Sequence, residues 1–451
     1  MNIAVQAPAV WRRLARPVAV VGAGIAGLTA AFELERRGLR ATVFESGRSV
    51  GGMASSFKDA EGYTYDFGAH FVSNRLADAM GAGTVSRTVR HYGEAVMLGG
   101  RSYGYPFGLA LSPRYAVSAV AARLSPRPVA SAADWFRNAY GGALAEDVAI
   151  PLAEAWSGAP AAELSPAVGE KLAAGVMKTL YLKAASRLSG KAVCNGYSHE
   201  MPESPAVYHV YPEGGVAKLL EPTVAGLSDS IALESRVERI FVENGKVAAV
   251  KVNGREIGVS AVISTAPVHV LPGLVEGTDA LDALRGFRYR PMIFVNLRFE
   301  GRHLLPDTML WVPDRTQAFF RVTEAPFSMP WLAPQGRTQL TFDIGCEVGD
   351  AWWTMPDEKL AEACLEGLAR IYPHLRARYL GAGGMLRTPF AYPVYLSRYE
   401  ERRRDFARGT GVDGLYSIGR NGEFAHLLME DIYWRTLKRM GDVAAYVGRD
   451  D

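Results

Sequence analysis

The chain has 451 residues, of which 49% are hydrophobic and 22% are charged. This composition is typical of a globular protein and excludes disordered and fibrous classes, and the length predicts roughly two to four compact units. The formal net charge of only +3 gives no reason to expect the basic surface of a nucleic-acid-binding protein.

Cysteine and histidine residues show no metal-binding pattern. The three cysteines, Cys194, Cys346 and Cys364, are widely spaced, so the sequence contains neither a disulfide framework nor a CxxC motif. The eight histidines are scattered, without the spacing of metal ligands. We therefore predict that the protein binds no metal and occupies a reducing compartment, the cytoplasm.

Arginines near the N-terminus precede an apolar run, an arrangement that is also found in signal peptides. This run, at residues 18–31, contains three glycines, and no small-residue cleavage pattern follows it. Residues 1–16 are therefore predicted to form a short, loosely ordered arm. No uncharged apolar stretch elsewhere is long enough to span a bilayer, so we predict no transmembrane segment.

The first predicted unit is a strand, a glycine-rich turn and a helix. The apolar run at residues 17–21 is followed by GAGIAG, a GxGxxG motif, and by a helix at about residues 28–37. A second strand ends at Glu45, 18 residues after Gly27. This order is typical of a dinucleotide-binding unit, in which the helix N-terminus binds a diphosphate and the acid binds a ribose. The candidate binding residues here are Gly22, Gly24, Ala26, Gly27 and Glu45.

A second glycine pair follows soon after the acid. Residues 46–53 read SGRSVGGM, and this E-x6-GG arrangement resembles the signature of the FAD-dependent amine oxidase superfamily. That superfamily includes amine oxidases, protoporphyrinogen oxidase, phytoene desaturases and UDP-galactopyranose mutase. Arginines in this loop often contact the diphosphate in the family, and Met53 occupies a position where many members have arginine. The resemblance adds the candidate FAD-binding residues Ser46, Arg48, Gly51, Gly52 and Met53.

The sequence YDFGAH at residues 65–70 is similar to the DxGxH segment that passes the flavin ring in several of these families. A small residue beside a flavin allows the backbone to approach the ring, so Gly68 and Ala69 are candidate cofactor contacts. The resemblance implies that His70 lies beside the ring and acts in catalysis. The alternative is a structural histidine at the end of a strand.

A helical region rich in alanine and leucine is predicted at about residues 107–191. Its sequence resembles a protoporphyrinogen-oxidase-like stretch, although Ser157 interrupts the usual WG pair after Trp156. Basic residues form one face of a helix at residues 178–191, and such a face could rest on a membrane surface. A solvated face is the favoured interpretation, so we do not expect peripheral membrane contact.

Residues 211–267 resemble the β-meander of the superfamily. A glycine pair at residues 214–215 opens a helix, a strand begins near residue 231 and continues to about residue 240, and Asn-Gly pairs at residues 244 and 253 predict hairpin turns. The final strand, AVISTAP, is expected to return to the dinucleotide-binding sheet. The resemblance implies that the backbone of Val237 contacts the adenine. The alternative is a three-stranded meander without a ligand contact.

Residues 271–395 alternate like a sheet and contain aromatic and arginine side chains that could hold a flat, sugar-like or anionic ligand. In the oxidase-like clade such segments run along a cavity above the flavin, and the segment YPF at residues 105–107 is expected to join them. The predicted catalytic residues of this cavity are His70, Arg321 and Tyr392.

The C-terminal block contains a strand that ends at Gly419-Arg420 and a helix that opens at Met429-Glu430. The sequence GRNGEFAHLLMED resembles the ending of UDP-galactopyranose mutases and of a protoporphyrinogen-oxidase-like clade. The resemblance implies that Gly419 and Arg420 contact the FAD diphosphate and that the last helix directs its N-terminus, at Met429 and Glu430, toward the flavin. This region has no cysteine for covalent attachment, so noncovalent FAD is expected.

We predict an α/β fold in which a Rossmann-like FAD-binding domain of the glutathione-reductase type carries an inserted, mixed α+β substrate domain. The FAD-binding domain is expected to comprise residues 17–105, 205–270 and 396–451. The substrate domain is expected to have a helical part at residues 106–204 and a sheet part at residues 271–395.

The leading functional prediction is an FAD-dependent oxidoreductase that transfers a hydride from a small organic substrate to flavin N5, in the biosynthesis of a natural product or sugar-containing metabolite. Oxygen or a quinone is the expected electron acceptor, since a second GxGxxG unit for a nicotinamide is absent. The alternative is a redox-neutral isomerase like UDP-galactopyranose mutase, although the mutase stretch YTGxIDx(Y/F)F is absent. A third possibility is a flavin-binding protein without catalysis. The sequence does not indicate which oligomeric state the protein adopts.

Overall fold

The computed structural model describes residues 16–104, 112–172 and 176–449. The predicted N-terminal arm, apart from Arg16, lies outside these ranges, as do the aromatic segment at residues 105–107 and the predicted domain boundary beside it.

Twenty strands form within the described ranges. In chain order they are β1 (Val18–Val21), β2 (Ala41–Phe44), β3 (Ser56–Lys58), β4 (Thr64–Asp66), β5 (Ser86–Thr88), β6 (Glu94–Leu98), β7 (Arg101–Gly104), β8 (Val210–Pro212), β9 (Ile231–Ala232), β10 (Val237–Glu243), β11 (Lys246–Val252), β12 (Arg255–Gly258), β13 (Ala261–Ser264), β14 (Val275–Glu276), β15 (Tyr289–Glu300), β16 (Met309–Trp311), β17 (Arg321–Thr323), β18 (Arg337–Gly345), β19 (Tyr379–Pro393) and β20 (Leu415–Ser417).

The α-helices of the described ranges vary from single turns to a 19-residue helix at the C-terminal end. In chain order they are α1 (Ile25–Arg36), α2 (Asn74–Ala79), α3 (Pro113–Leu124), α4 (Ala132–Tyr140), α5 (Gly142–Leu144), α6 (Ile150–Ser157), α7 (Val176–Ser189), α8 (Glu221–Gly226), α9 (Leu271–Leu274), α10 (Ala325–Ser328), α11 (Asp357–Ile371), α12 (Glu400–Arg408), α13 (Gly419–Gly422) and α14 (Met429–Val447).

A five-stranded parallel sheet forms the centre of the first unit, in the order β20-β13-β1-β2-β9. Val18 and Val20 of β1 are buried against the packed helices α1 and α14, whereas Ala19 faces the meander on the other side of the sheet. This arrangement confirms the predicted α/β fold with parallel strands. Helix α1 begins at Ile25, slightly earlier than expected, so its first turn includes part of the glycine motif.

The meander is a four-stranded sheet in the order β12-β11-β10-β14. Both predicted hairpin turns are present, because Asn244 and Asn253 adopt φ angles of 51° and 48° and each is followed by a glycine. The strand that was predicted near residues 231–240 is divided, since Glu234 has a φ of 50° and the chain there leaves the parallel sheet. The added β14 pairs in parallel with β10.

The third layer is a seven-stranded sheet in the order β19-β15-β18-β17-β16-β6-β7. Residues 94–104, which the sequence prediction assigned to the FAD-binding domain, instead contribute β6 and β7 to this sheet. One face is apolar and packs against α11, whose apolar side includes the fully buried Leu360 and Leu368. This helix interrupts the region that the sequence prediction described as sheet.

The opposite face of this sheet is polar and is turned toward the parallel-sheet unit. Alternate residues of β17 and β18 share this face, because strand side chains alternate between faces. We call these five residues the polar face: Arg321, Thr323, Gln339, Thr341 and Asp343. All five are less than 9% exposed, so the face is a buried surface between two units.

Helices α3 to α6 lie in the predicted helical region and pack against one another, and α6 contacts β15, β18 and β19 of the seven-stranded sheet. Helix α4 begins with a capping box, in which Ser131 Oγ accepts from the Asp134 N–H at 3.2 Å and the Asp134 carboxylate accepts from the Ser131 N–H at 3.1 Å. Phe136 and Trp156 bury this layer against the main core. Within residues 16–104, 112–172 and 176–449, no helix combines the length and apolar character needed to cross a membrane.

Candidate functional site

Loops that follow four parallel strands meet at the carboxyl edge of the sheet, where open α/β sheets bind their ligands. Gly22 follows β1 with a φ of 98°, and an added Cβ would lie 2.4 Å from Thr265 Oγ1, which follows β13. A Cβ at Gly27 would lie 2.0 Å from the Gly22 carbonyl oxygen, and one at Gly419 would lie 2.8 Å from Ala26 Cβ. Glycine at these positions therefore allows the turn, the first helix and the last strand to pack closely.

The first helix presents an uncapped N-terminus at this edge. Gly24 occupies the N-cap position of α1, and no side chain in the described structure caps the helix. Glu45, at the end of β2, holds the same loop, because its carboxylate accepts from the Ala23 N–H at 2.8 Å and from the Gly47 N–H at 2.7 Å. A carboxylate has about four lone-pair positions, so Glu45 retains acceptors for ribose hydroxyl groups.

The second glycine pair lies directly beside the GxGxxG loop. The Gly51 N–H donates to the Ala23 carbonyl at 2.9 Å, and Gly24 and Gly51 form an isolated parallel bridge. Gly51 and Gly52 have φ angles of 114° and 53°, and a Cβ at Gly52 would lie 3.6 Å from Gly24 Cα. The chain therefore brings two backbone segments without side chains against one another at the helix N-terminus.

Other predicted cofactor residues surround this loop at different distances. Ser46 Oγ donates to Glu45 at 3.3 Å, and Met53 lies half-buried in the turn after the second glycine pair. Arg48 is highly exposed, and its guanidinium group pairs with Glu234 at 3.1 Å. In this structure Arg48 thus contacts the segment after β9.

Val237 is buried at the start of β10, in the meander, and is 5% exposed. The neighbouring backbone is held by Asn253, whose side-chain oxygen accepts from the Arg236 N–H at 3.3 Å. The backbone beside Val237 is therefore fixed by the turn at Asn253. The contact between Val237 and the adenine stays a prediction.

The DxGxH segment connects the parallel-sheet unit to the seven-stranded sheet. The Asp66 carboxylate accepts from Tyr211 Oη at 2.6 Å and from the Val216 N–H at 3.2 Å, so it fixes the chain after the glycine pair at residues 214–215. Gly68 has a φ of 72°, and a Cβ there would lie 2.8 Å from the ring of Phe294 on β15. We call the junction between the carboxyl edge and the polar face the seam, and Gly68 lies in it, next to Ala69.

His70 lies in the seam with a buried, unpartnered ring nitrogen. Among the described residues no group hydrogen-bonds to its Nε2 atom. Burial lowers the pKa of His70 below its usual value of 6.5; Asp66 acts in the opposite direction, and Arg420 and Arg321 lower the pKa further. The imidazole is therefore neutral near neutral pH, and its surroundings show that the seam brings His70 close to both arginines.

Arg321 forms a buried ion pair on the polar face. It is 8% exposed, its cross-strand neighbour Asp343 is fully buried, and the guanidinium group hydrogen-bonds to the carboxylate. The guanidinium carbon also lies 5.2 Å from the ring centre of Trp311. Burial opposes the charge of Arg321, but Asp343 and Tyr392 favour it and raise the pKa above its usual value.

Arg420 contributes a second cation to the seam. Its Nε atom donates to the Leu427 carbonyl at 3.0 Å and its Nη1 atom to the Ala391 carbonyl at 3.4 Å. The guanidinium carbon lies 5.6 Å from the ring centre of Tyr392. Burial lowers the pKa of Arg420, and no carboxylate in the described part of the chain pairs with it. Gly419 faces the glycine loop, whereas the Arg420 side chain extends along the seam.

Helix α14 begins at Met429, as predicted, and no side chain caps its N-terminus in the described structure. Glu430 is fully buried and accepts from Arg75 Nε at 2.5 Å and from the Tyr197 N–H at 2.8 Å. The neighbouring Asp431 accepts from the His199 N–H at 2.8 Å. Both acids therefore hold the loop at residues 197–199, and the backbone N–H groups of the first turn keep no side-chain partner.

An aromatic cluster beside His70 was absent from the sequence predictions. The ring of Phe71 lies within 5.3–5.8 Å of the rings of Tyr92, Tyr197 and His209. Tyr197 Oη and His209 Nε2 are 2.8 Å apart, and burial lowers the pKa of His209 to about 4. Its members are distant in sequence and carry no shared motif, so no sequence signal could have grouped them.

Two family models match this chain. Residues 20–80 match the NAD(P)-binding Rossmann-like domain. Residues 122–430, more than half of the chain, match the flavin containing amine oxidoreductases. The chain belongs to the flavin-containing amine oxidoreductase family. This assignment confirms the resemblance that the glycine pairs and the C-terminal block indicated.

Curated relatives of this amine oxidoreductase match over short segments. The 4,4'-diapophytoene desaturase of Staphylococcus haemolyticus is 47% identical over 55 residues, and protoporphyrinogen oxidase 2 of Arabidopsis thaliana is 51% identical over 53 residues. Each match covers 12% of this chain, and the matches cover only 11% and 10% of the two relatives. Reduced UDP-galactopyranose mutase is similar over the whole fold, with a TM-score of 0.77, 18% identity and coverage of 96% of this chain and 94% of that chain.

The family and the Rossmann-like domain imply FAD, and the residues at the carboxyl edge fit it. The uncapped N-terminus of α1 and the side-chain-free surface at Gly24 and Gly52 suit a diphosphate. Glu45 retains acceptors for a ribose. At the seam, the uncapped N-terminus of α14 suits the polar edge of a flavin ring.

Proposed function

We propose that this amine oxidoreductase oxidises a small organic substrate whose reacting carbon lies in the seam. Noncovalently bound FAD supplies the hydride acceptor, flavin N5. The observation that carries the proposal is the convergence of His70, Arg321, Arg420 and Tyr392 between the carboxyl edge and the polar face. The pKa values of His70, Arg321 and Arg420 are shifted, and ionisable groups with perturbed pKa values that converge in a buried junction are typical of catalytic sites.

The proposed role of His70 is to accept the proton that the substrate loses with the hydride. Its pKa is lowered by burial, so the imidazole is neutral and its Nε2 atom is an acceptor at neutral pH. The substrate then loses a hydride to the flavin and a proton to His70, and these two transfers balance the oxidation. Tyr392 is proposed to contact the substrate from β19, where its ring lies against Arg420.

The two seam arginines differ in what they can bind. Arg321 is neutralised by Asp343, so its proposed role is to orient hydrogen bonds at the polar face. Arg420 has carbonyl and ring partners but no carboxylate partner in the described residues. A partly buried cation without a counter-charge is costly, so we propose that an anionic group of the bound cofactor or of the substrate lies against Arg420.

We propose that two sets of segments bind the cofactor and the substrate separately. Residues 17–93, 205–270 and 396–451 hold the cofactor. Residues 94–104 belong with the substrate domain, because they form two strands of the seven-stranded sheet. Oxygen or a quinone is the proposed electron acceptor, in a cytoplasmic pathway that makes a natural product or sugar-containing metabolite.

The alternative function is a redox-neutral flavin isomerase, and the sequence GRNGEFAHLLMED favours it. Anaerobic photoreduction followed by admission of air separates the two functions. An oxidase is rapidly reoxidised by air, whereas a mutase turns over its substrate only when it is kept reduced. Slow reoxidation by air together with turnover by the prereduced enzyme would show a redox-neutral isomerase and contradict the proposed oxidation.

The proposed roles of His70 and Arg321 are tested by His70→Ala and Arg321→Ala in anaerobic flavin-reduction assays with candidate substrates. Each change should slow reduction per bound FAD by about tenfold or more. His70→Ala should keep FAD content near wild type, whereas Arg321→Ala leaves Asp343 without its cation, so its rate is compared in the folded, FAD-loaded fraction. His374→Ala, a change of a histidine that contacts Tyr372 outside the seam, is the matched control and should leave the rate unchanged. Full activity in both seam variants would show that these residues are structural.

A further inference from the structure

A small cavity lies behind His70, between the DxGxH loop and the polar face. Its volume is about 40 Å³, and its lining includes His70 from the loop and Thr323, Gln339 and Thr341 from β17 and β18. The cavity therefore touches the proposed catalytic histidine but is built mainly by residues with no assigned role.

Three of the lining side chains have a buried polar atom without a hydrogen-bond partner among the described residues: His70 Nε2, Thr323 Oγ1 and Gln339 Oε1. Thr323 is only 4% exposed and Gln339 only 2% exposed. Gln339 Nε2 donates to the Thr64 carbonyl at 2.5 Å, which fixes the amide and leaves Oε1 as an acceptor. A buried polar group without a partner costs about 1–3 kcal/mol, so three around one cavity indicate a polar ligand there.

A chain of polar groups connects the same cavity to the surface. Thr308 lines the cavity and is 1% exposed, and its Oγ1 atom lies 2.5 Å from Ser328 Oγ and 3.5 Å from Asp307 Oδ1. Asp307 Oδ1 lies 2.7 Å from Nε2 of His91, whose side chain is 57% exposed. The Thr308 hydroxyl group at the cavity wall is thus followed by the pair Asp307–His91, which is in contact with solvent.

We propose that this cavity holds ordered water molecules that hydrogen-bond to His70, Thr323 and Gln339 and carry a proton between His70 and the surface pair Asp307–His91. A volume of about 40 Å³ accommodates roughly three water molecules at 10–15 Å³ each. Water, hydroxyl and carboxylate groups can each accept a proton on one side and release one on the other. The net transfer is one proton from the His70 imidazolium to bulk water through His91.

The use of this route rests on the proposed function, in which His70 accepts a proton and must release it before the next turnover. Thr323 and Gln339 are then positioning residues, since they act on His70 through water. Thr308 is the connection to the surface. The water route can be measured without turnover, so its failure is distinguishable from failure of the proposed oxidation.

A high-resolution crystal structure of the flavin-loaded protein tests the hydration directly. We expect two or three ordered waters within hydrogen-bond distance of His70 Nε2, Thr323 Oγ1 and Gln339 Oε1, in line with the space available. A dry cavity, or one filled by a rearranged side chain, would overturn the proposal.

Proton exchange at the His70 ring tests the route. In flavin-loaded protein with ¹⁵N-labelled histidine, at a pH acidic enough to protonate His70, Thr308→Val should slow exchange of the His70 Nε2 proton with solvent by about tenfold, and Thr323→Val should slow it by about fivefold, the value of one hydrogen bond. Thr323→Ser keeps the hydroxyl and should restore the wild-type rate, which separates the polar effect from a packing defect. Unchanged exchange in both valine variants would refute the route. Slowed exchange with unchanged steady-state turnover would support the route and count against its use in the proposed oxidation.

Discussion

Replacing Arg75 by methionine should destabilise the protein strongly, because the change leaves Glu430 as a buried carboxylate without its cation. Glu430 is fully buried and Arg75 is 15% exposed, and the two side chains are joined at 2.5 Å. Breaking such a pair on one side typically costs about 3–5 kcal/mol. The Tyr197 N–H still donates to Glu430, but one hydrogen bond offsets only about 1 kcal/mol of that loss.

The double variant Arg75→Met/Glu430→Met is the matched comparison. Replacing both members of a buried pair with apolar residues removes the unpaired charge, so its free energy of unfolding should lie close to wild type. Urea unfolding at neutral pH, followed by circular dichroism, measures all three proteins. Equal destabilisation of the single and double variants would refute the reasoning. The flavin content of the double variant separates the roles of Glu430, since a folded protein that has lost FAD would show that the acid also supports the cofactor.

Two further predictions concern stability around the site. Burial lowers the pKa of His209 to about 4 from its usual 6.5. Between these two pH values the unfolded chain binds a proton at His209 and the folded chain does not. The free energy of unfolding should therefore fall by about 3 kcal/mol as the pH drops from 6.5 to 4, and His209→Phe should flatten this pH dependence in urea titrations. Gly68→Ala should lower both the urea midpoint and the bound flavin, because its φ is 72° and its Cβ would lie 2.8 Å from Phe294. Gly38 has a similar φ of 80° but open space around it, so Gly38→Ala should lower the free energy of unfolding only by the backbone strain, about 1–2 kcal/mol. Equal losses of unfolding free energy in the two variants would contradict the proposed packing at the seam.

The parallel sheet could be predicted because its signals are local. The order of strand, GxGxxG, helix and acid specifies one compact unit, and the strand at residues 261–264 returns to β1 as the AVISTAP sequence predicted. The hairpins at Asn244 and Asn253 were predictable for the same reason, since Asn-Gly accepts the positive φ angles that a tight turn requires.

The long-range contacts of the site could not be predicted in this way. Arg75 and Glu430 are 355 residues apart, so nothing in either segment indicates the pair. The same holds for the cross-strand pair of Arg321 and Asp343, which depends on the register of β17 and β18. Helix α11 is different, because Pro356 followed by two acids is a helix-start signal that the prediction of continuous sheet overlooked.

We propose that FAD lies along the carboxyl edge with its diphosphate at Gly24, and the flavin released from purified protein tests this placement. We expect noncovalent FAD, released by acid or heat, and its loss in Gly24→Val. A Cβ at Gly24 approaches no protein atom closer than 3.9 Å and the φ there is −78°, so this variant should fold with a wild-type circular dichroism spectrum and fail only to bind the cofactor. FAD is not bound in this way if the purified protein releases FMN, if it contains no flavin after reconstitution with FAD, or if folded Gly24→Val keeps its full FAD content.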